Sequence, residues 1–315
     1  MKQTQQATLA APVSLSGIGV HSGRPVNLHL HPAQADHGIV FLRTGLPDGE
    51  DRLIDANSFA VTATELCTVV GDRVSGAVAT VEHLMSALCG LGIDNLLVEI
   101  DGPEVPIFDG SAQAFVAAID SVGIARSRFP RRYLKVLRTV RVELGIGWAE
   151  LRPNGRGFFV DVEIKFDNPV VGRQRKTMEL SPLAYRQEVA RARTFGFIGD
   201  VEKLWKAGFA LGASLDNTVA IGEGKVINPE GLRFADEFVR HKMLDAIGDL
   251  SLAGHPFLGT YTSFCGGHRL NVAVLKELLS DRANYAIVDG GARRDTGYAE
   301  IASGVAVPSY APDVH

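Results

Sequence analysis

The sequence predicts an α+β protein made of two similar halves, and three observations predict it. Short apolar alternations mark strands that come in clusters, helical spacing marks amphipathic segments grouped after them, and the second half repeats features of the first. Strand clusters followed by helices, rather than strict alternation of the two, argue for α+β layers over a parallel βαβ sheet. A chain of 315 residues is about two domains' worth at roughly 150 residues each. With 46% hydrophobic and 22% charged residues it can build cores of ordinary size.

Within residues 13–43, VSLSGIGV, PVNLHLHP and GIVFLR read as strands separated by glycine and proline turns, with Val26, Leu28 and Leu30 alternating against Asn27, His29 and His31. Another strand lies near ELCTVV. AVATVEHLMSALCGLG follows as a helix, with Val81, Leu84, Met85 and Leu88 at helical spacing and Gly90 and Gly92 ending it. NLLVEIDG reads as a strand and SAQAFVAAIDSVG as a second helix. The basic stretch ARSRFPRRYL, residues 125–134, holds a proline and no apolar periodicity, so a domain boundary is expected there, with residues 1–126 as one domain and 127–315 as the other. The pattern then starts again. VLRTVRVEL, GWAELRP and GFFVDVEIKF read as strands, PLAYRQEVARAR as a helix with Pro182 in its first turn, and LRFADEFVRHKMLDAIGDLSLAG as a long helix. NLHLHPA and AELRPN both run alternating residues into a proline, and Glu82-His83-Leu84-Met85 parallels Arg240-His241-Lys242-Met243. These pairs point to an internal duplication.

Several function classes are excluded. Lys+Arg 32 against Asp+Glu 36 gives a net charge of -4 and a pI of about 6.1, so no basic surplus exists to meet a nucleic-acid backbone. Gly, Pro or a charge interrupts every apolar run before the ~18 residues of a membrane-spanning helix. The N-terminus has one lysine and an apolar run broken by Pro12, Ser14 and Ser16, so no cleaved leader is expected and a cytoplasmic protein is. Cys67, Cys89 and Cys265 are odd in number and form no Cys-x-x-Cys, which suits a reducing compartment. Gly17-Ile18-Gly19 opens no helix, Gly222 to Lys225 lacks the spacing of a phosphate-binding loop, and no Gly-x-Ser-x-Gly elbow occurs.

On a helical wheel from Phe234 to Leu252, Val239, Met243, Ala246, Ile247 and Leu250 fall on one face. His241, Asp245 and Asp249 fall on the other at i, i+4, i+8, bordered by Phe234 and Phe238, a polar stripe expected to line a cleft. Such spacing serves either a helix ion pair beside a solvated acid or two ligands of one ion. If the halves are related by a pseudo-twofold, His83 converges on His241, giving two imidazoles and a carboxylate, a three-ligand zinc site with one position open. Glu82 is rotated by ~100° from His83 and so fits beside a metal-activated water better than as a ligand. His268 sits in FCGGHRLN, where a strand end passes through two glycines into a helix, and Cys265-x-x-His268 is too short a pair to define a metal site alone.

Six segments in order, TVEHLMSALCGLGIDN, PIFDGSA, RARTFGF, LDNTVAI, EGLRFADEFVRHKMLDAIGDLSLAGH and GGHRLN, together resemble the UDP-3-O-acyl-N-acetylglucosamine deacetylase family of lipid A biosynthesis, from about Leu15 to the helix after His268. The resemblance implies two duplicated two-layer α/β-sandwich domains with the active site between their helix layers. It implies a zinc-dependent, monomeric, cytoplasmic enzyme of a Gram-negative cell. Its substrate would be a small molecule, UDP-3-O-[(3R)-3-hydroxyacyl]-N-acetylglucosamine, hydrolysed to acetate and the free 2-amine in the committed step of the pathway. By motif position, His83, His241 and Asp245 look like ligands of one Zn2+, with Fe2+ as the alternative in the cell. Glu82 looks like the general base, His268 the general acid, Asp249 its orienting partner and Thr194 the oxyanion hydroxyl. Lys242, Phe195, Phe197, Asp200 and His21 look like substrate contacts. FGFIGDVEKLWKAGFALGAS, otherwise readable as a core hairpin and helix, corresponds to an insert that forms an acyl-chain passage.

The sequence departs from that pattern at Cys265 and Gly147, where lysine is expected, and at Asp167, an often amide-bearing position. Arg193, Lys203 and Arg240 are the nearby cations that could make up the charge. A deacetylase of another N-acetylated amphiphile, or a non-catalytic α+β scaffold, stays open beside this reading.

Overall fold

A computed structural model describes residues 3–72, 74 and 76–290. The C-terminal tail, in which the sequence offers no motif, lies outside the described residues beyond Gly290. The helices among them are α1 (Glu82–Leu91), α2 (Gln113–Val122), α3 (Pro182–Glu188), α4 (Ile198–Lys206), α5 (Glu237–Ser251) and α6 (His268–Ser280).

Two principal sheets share one topology. The first runs, in spatial order, Val13–Ile18, Pro25–Pro32, Leu96–Ile100, Ile39–Arg43, Arg52–Asp55. The second runs Val140–Leu144, Gly147–Arg152, Phe257–Phe264, Phe158–Lys165, Arg173–Glu179, with Arg132–Val136 and Tyr285–Asp289 added to it. In both, the third strand is antiparallel to the second and parallel to the fourth. That third strand follows α1 or α5 and precedes α2 or α6. The duplication read from two short motifs is thus carried by the whole connectivity of each half.

Local chemistry explains the elements. Pro25–Pro32 buries Val26, Leu28 and Leu30 on one side of its pleat. Leu84, Met85 and Leu88 of α1, with Val81 at its N-cap, are buried as their spacing requires. The helix ends at Gly92, whose φ of 78° is left-handed and whose N–H reaches the carbonyls of Leu88 and Cys89. Gly90, expected as part of the stop, lies inside the helix. A Cβ there would stand 2.3 Å from the Tyr185 ring, so glycine lets α3 close onto α1.

The helix layers face each other, with α1 lying along α5. They come close at Gly248, where a Cβ would stand 2.0 Å from the Glu82 carbonyl oxygen. This contact corrects the amphipathic reading of the long helix. Helix α5 is buried on nearly every side, because α1 covers the stripe of His241, Asp245 and Asp249 that was expected to border a cleft. It also begins at Glu237 rather than Phe234, since the Glu237 carboxylate accepts from the Arg233 and Arg193 amides.

Residues 125–134 are not an unpaired linker. Ile124–Pro130 pairs with Gln5–Leu9, Arg132–Val136 joins the second sheet, and Arg131 lies between. The first of these strands is largely exposed and held by backbone pairing, so it carries no apolar alternation. Two smaller sheets stand beside the main ones: Val61–Ala63, Val69–Asp72 and Gly76–Val78 in the first half, and Phe195–Phe197, Val219–Gly222 and Lys225–Val226, next to α4, in the second.

Candidate active site

His83 from α1 and His241 and Asp245 from α5 meet in the helix interface, 4%, 2% and 2% exposed. One nitrogen or oxygen from each lies within 4.8 Å of the others, and no other such group occurs among the described residues. Asp245 Oδ1 stands 3.4 Å from His241 Nε2 and 3.6 Å from His83 Nε2, and it has no hydrogen-bond partner.

The tautomer of His241 shows what this means. Its Nδ1 lies 3.1 Å from the Ala192 carbonyl, which can only accept, so Nδ1 carries the proton. Burial pushes the His241 pKa down to about 3, so the ring is neutral and Nε2 presents a lone pair. Burial would raise Asp245, but His241 and Lys242 hold it well below the usual carboxylate range. With His241 neutral, the full charge comes from Lys242, whose Nζ donates to Asp245 Oδ2 at 2.9 Å. A lone pair therefore faces an unpartnered carboxylate oxygen, an arrangement that calls for a cation between them. Donors bound tetrahedrally at ~2.0–2.2 Å from one ion would stand about 3.3–3.6 Å apart, and the two Asp245 distances fall in that range. The residues fit a divalent metal.

Beside them, Glu82 is 3% exposed, and its Oε2 accepts from the Thr68 amide at 3.0 Å. Burial raises its pKa. His268, the first residue of α6, has Nε2 3.9 Å from Glu82 Oε1 and Nδ1 2.9 Å from Asp249 Oδ2. Burial alone would lower the His268 pKa, but the Asp249 and Glu82 carboxylates push it up to about 9. The ring is then an imidazolium, with Nδ1–H on Asp249 and Nε2–H turned toward Glu82. The pair Cys265 and His268 forms no metal group: the Cys265 thiol lies 3.7 Å from the Lys165 carbonyl while His268 is committed to Asp249.

Sequence reasoning missed what holds Asp249. Thr68 Oγ1 donates to its Oδ1 at 2.6 Å, Asn271 Nδ2 donates to its Oδ2 at 2.8 Å, and Tyr261 O–H donates in turn to Asn271. It also missed the buried pair Arg193–Glu237, which fixes the backbone just before Thr194. Neutral side chains drawn from a loop, a strand and the helix α6 leave no spacing signal. A buried charge pair 44 residues apart leaves none either.

A cavity of about 350 Å3 opens from Glu82 and His83. His21, Thr194, Phe195 and Phe197 line it, as do Ile198, Val201 and Leu204 of α4. The segment expected to be either a core hairpin or a passage wall therefore lines a cavity. Asp200 does not: it is exposed on α4, 3.7 Å from Lys203. Phe209 and Leu211 also lie outside this lining, and Lys242 points at Asp245.

The three compensating cations are all engaged. Arg193 pairs with Glu237 and Glu230, Lys203 with Asp200, and Arg240 with Asp236 and Glu188. Gly147 has a steric reason of its own, since a Cβ there would stand 2.6 Å from the Cys265 carbonyl oxygen.

Fold and site together define a protein of two duplicated α+β domains with a candidate metal group, His83, His241 and Asp245, between its helix layers. The sequence profile of the UDP-3-O-acyl N-acetylglycosamine deacetylase family matches residues 6–280, and the chain belongs to that family. Proteins named UDP-3-O-acyl-N-acetylglucosamine deacetylase from Brucella ovis, Brucella canis and Brucella suis are each 50% identical to it over 286 residues, 90% of this chain and 98% of the relative.

Proposed function

We propose that this chain hydrolyses the N-acetyl group of UDP-3-O-acyl-N-acetylglucosamine, the lipid A precursor named in its relatives, releasing acetate and a free 2-amine. The observation that carries the reading is the convergence of His83, His241 and Asp245 beside Glu82 and the His268–Asp249 pair.

His83, His241 and Asp245 would hold one divalent ion, Zn2+ or in the cell Fe2+. When bound, that ion supplies Lewis acidity, polarising the acetamide carbonyl and acidifying water. The chain's own groups supply the rest. Glu82 takes the proton from the attacking water at Oε1, its other oxygen being held by Thr68. His268 gives the Nε2 proton to the departing amine while Asp249 anchors Nδ1 and favours the charged ring. Each proton transfer contributes about 10²–10⁴-fold. The Thr194 hydroxyl faces the developing oxyanion, His21 and Lys242 contact the sugar nucleotide, and Phe195, Phe197 and α4 take the acyl chain. The same proposal has the protein act as a cytoplasmic monomer, with residues 1–126 as one domain and 127–315 as the other.

Acetate release from this substrate tests it, measured before chelation, after chelation, and after one equivalent of Zn2+ is returned. Activity lost and then restored is the expected result. A folded, zinc-loaded protein that releases no acetate would discard the substrate.

A further inference from the structure

We propose that Trp205 closes the outer end of the apolar cavity and sets the longest acyl chain the site accepts. This rests on reading the cavity as the acyl site. The lining grades from buried to exposed: Glu82 and His83 are 3% and 4% exposed, whereas Ile198, Trp205 and Leu215 are 47%, 56% and 43% exposed. The exposed end is therefore built by α4, the loop that follows it and Leu66 of the first half, itself 48% exposed, and Trp205 is the bulkiest side chain there.

Its ring is tethered. The indole Nε1–H donates to the Ala210 carbonyl at 3.1 Å, bridging the last turn of α4 and the loop. Ala210 has a φ of 56°, in the left-handed region that a Cβ disfavours. The loop is held there from the first half of the chain. The Ala210 amide reaches His21 Nδ1 at 3.4 Å, and the amides of Leu211 and Gly212 donate to the carbonyls of His21 and Val20. A Cβ at Gly212 would stand 2.4 Å from the Gly19 carbonyl oxygen, so only glycine permits this docking. The carbonyl that holds the indole is thus anchored to the other half of the protein. A chain that reaches the ring meets a fixed wall, and further methylenes turn back toward water.

The test is kcat/KM across substrates graded in acyl length, for the metal-loaded wild type, Trp205→Ala and Trp205→Phe. Wild-type values should rise by up to about fourfold per buried methylene and then break. Trp205→Ala should move the break to longer chains, raising kcat/KM beyond the old break relative to chains short of it, while Trp205→Phe keeps the break near its original place. A loss of folding would scale every length together and leave the break unmoved. An unmoved break in Trp205→Ala that keeps wild-type turnover of the short chains overturns the proposal, and so does a break that moves as far in Trp205→Phe.

A second arm reads binding without turnover. The chain has 2 tryptophans, so Trp148→Phe leaves Trp205 as the sole indole reporter. Its emission should respond to long 3-hydroxyacyl chains and not to short ones. If no substrate of any length is turned over, the proposed function fails, and this emission still decides the role of Trp205. The same response to every length, or none at all, overturns it.

Discussion

Asp249 shows how much one buried side chain can set. It is fully buried, takes hydrogen bonds from Thr68, His268 and Asn271, and is the chief reason His268 stays charged. If protonated His268 is the acid, activity falls as pH rises through its pKa of about 9. Asp249→Asn removes the charge that raises that pKa, so the alkaline limb of kcat/KM should move to lower pH while the metal stays bound. An alkaline limb that stays in place would assign it to another group. Glu82→Gln should lower kcat by about 10²-fold or more with metal content unchanged, because only proton transfer is touched. Wild-type turnover in that variant would end the role of Glu82 as base. The ligand types were legible in the sequence because His241 and Asp245 stand one helical turn apart. Thr68 and Asn271 were not, because an uncharged side chain gives no hint of a partner 181 or 22 residues away.

The decisive contact between elements is the crossing of α1 and α5. No spacing rule marks Gly248 as special, yet a Cβ at that position would collide with the Glu82 carbonyl at 2.0 Å. Gly248→Ala should push α1 away, costing about 1–3 kcal/mol by overpacking and weakening metal binding, since His83 moves with the helix. Denaturant unfolding together with a zinc titration checks both. Wild-type values in each would mean that α1 is not positioned there. The strands of the main sheets that bury alternate residues were readable from the sequence. Strands held mainly by backbone pairing, such as Ile124–Pro130, were not.

For the whole molecule, the metal group draws His83 from one half and His241 and Asp245 from the other. Binding an ion there ties the halves together, and a ligand at 100 times its Kd stabilises the folded state by about 2.7 kcal/mol. Chelation should therefore lower Tm, and added Zn2+ should restore it. Asp245→Ala should bind zinc more weakly and lose most of that response. Full zinc occupancy in Asp245→Ala would remove it from the ligand set.

The sequence by itself determined the α+β class, the duplication and the family, and it named the candidate site residues, because periodicity and short motifs are local properties of the chain. Only the tertiary structure decided that the polar stripe of α5 lies sealed beneath α1. It also decided that Asp200 stays at the surface, that Arg193, Lys203 and Arg240 are already paired, and that Trp205, in the cavity wall, is tied to the Ala210 carbonyl. Those outcomes depend on which distant backbones come close enough to exclude water, a property of packing that no local pattern encodes.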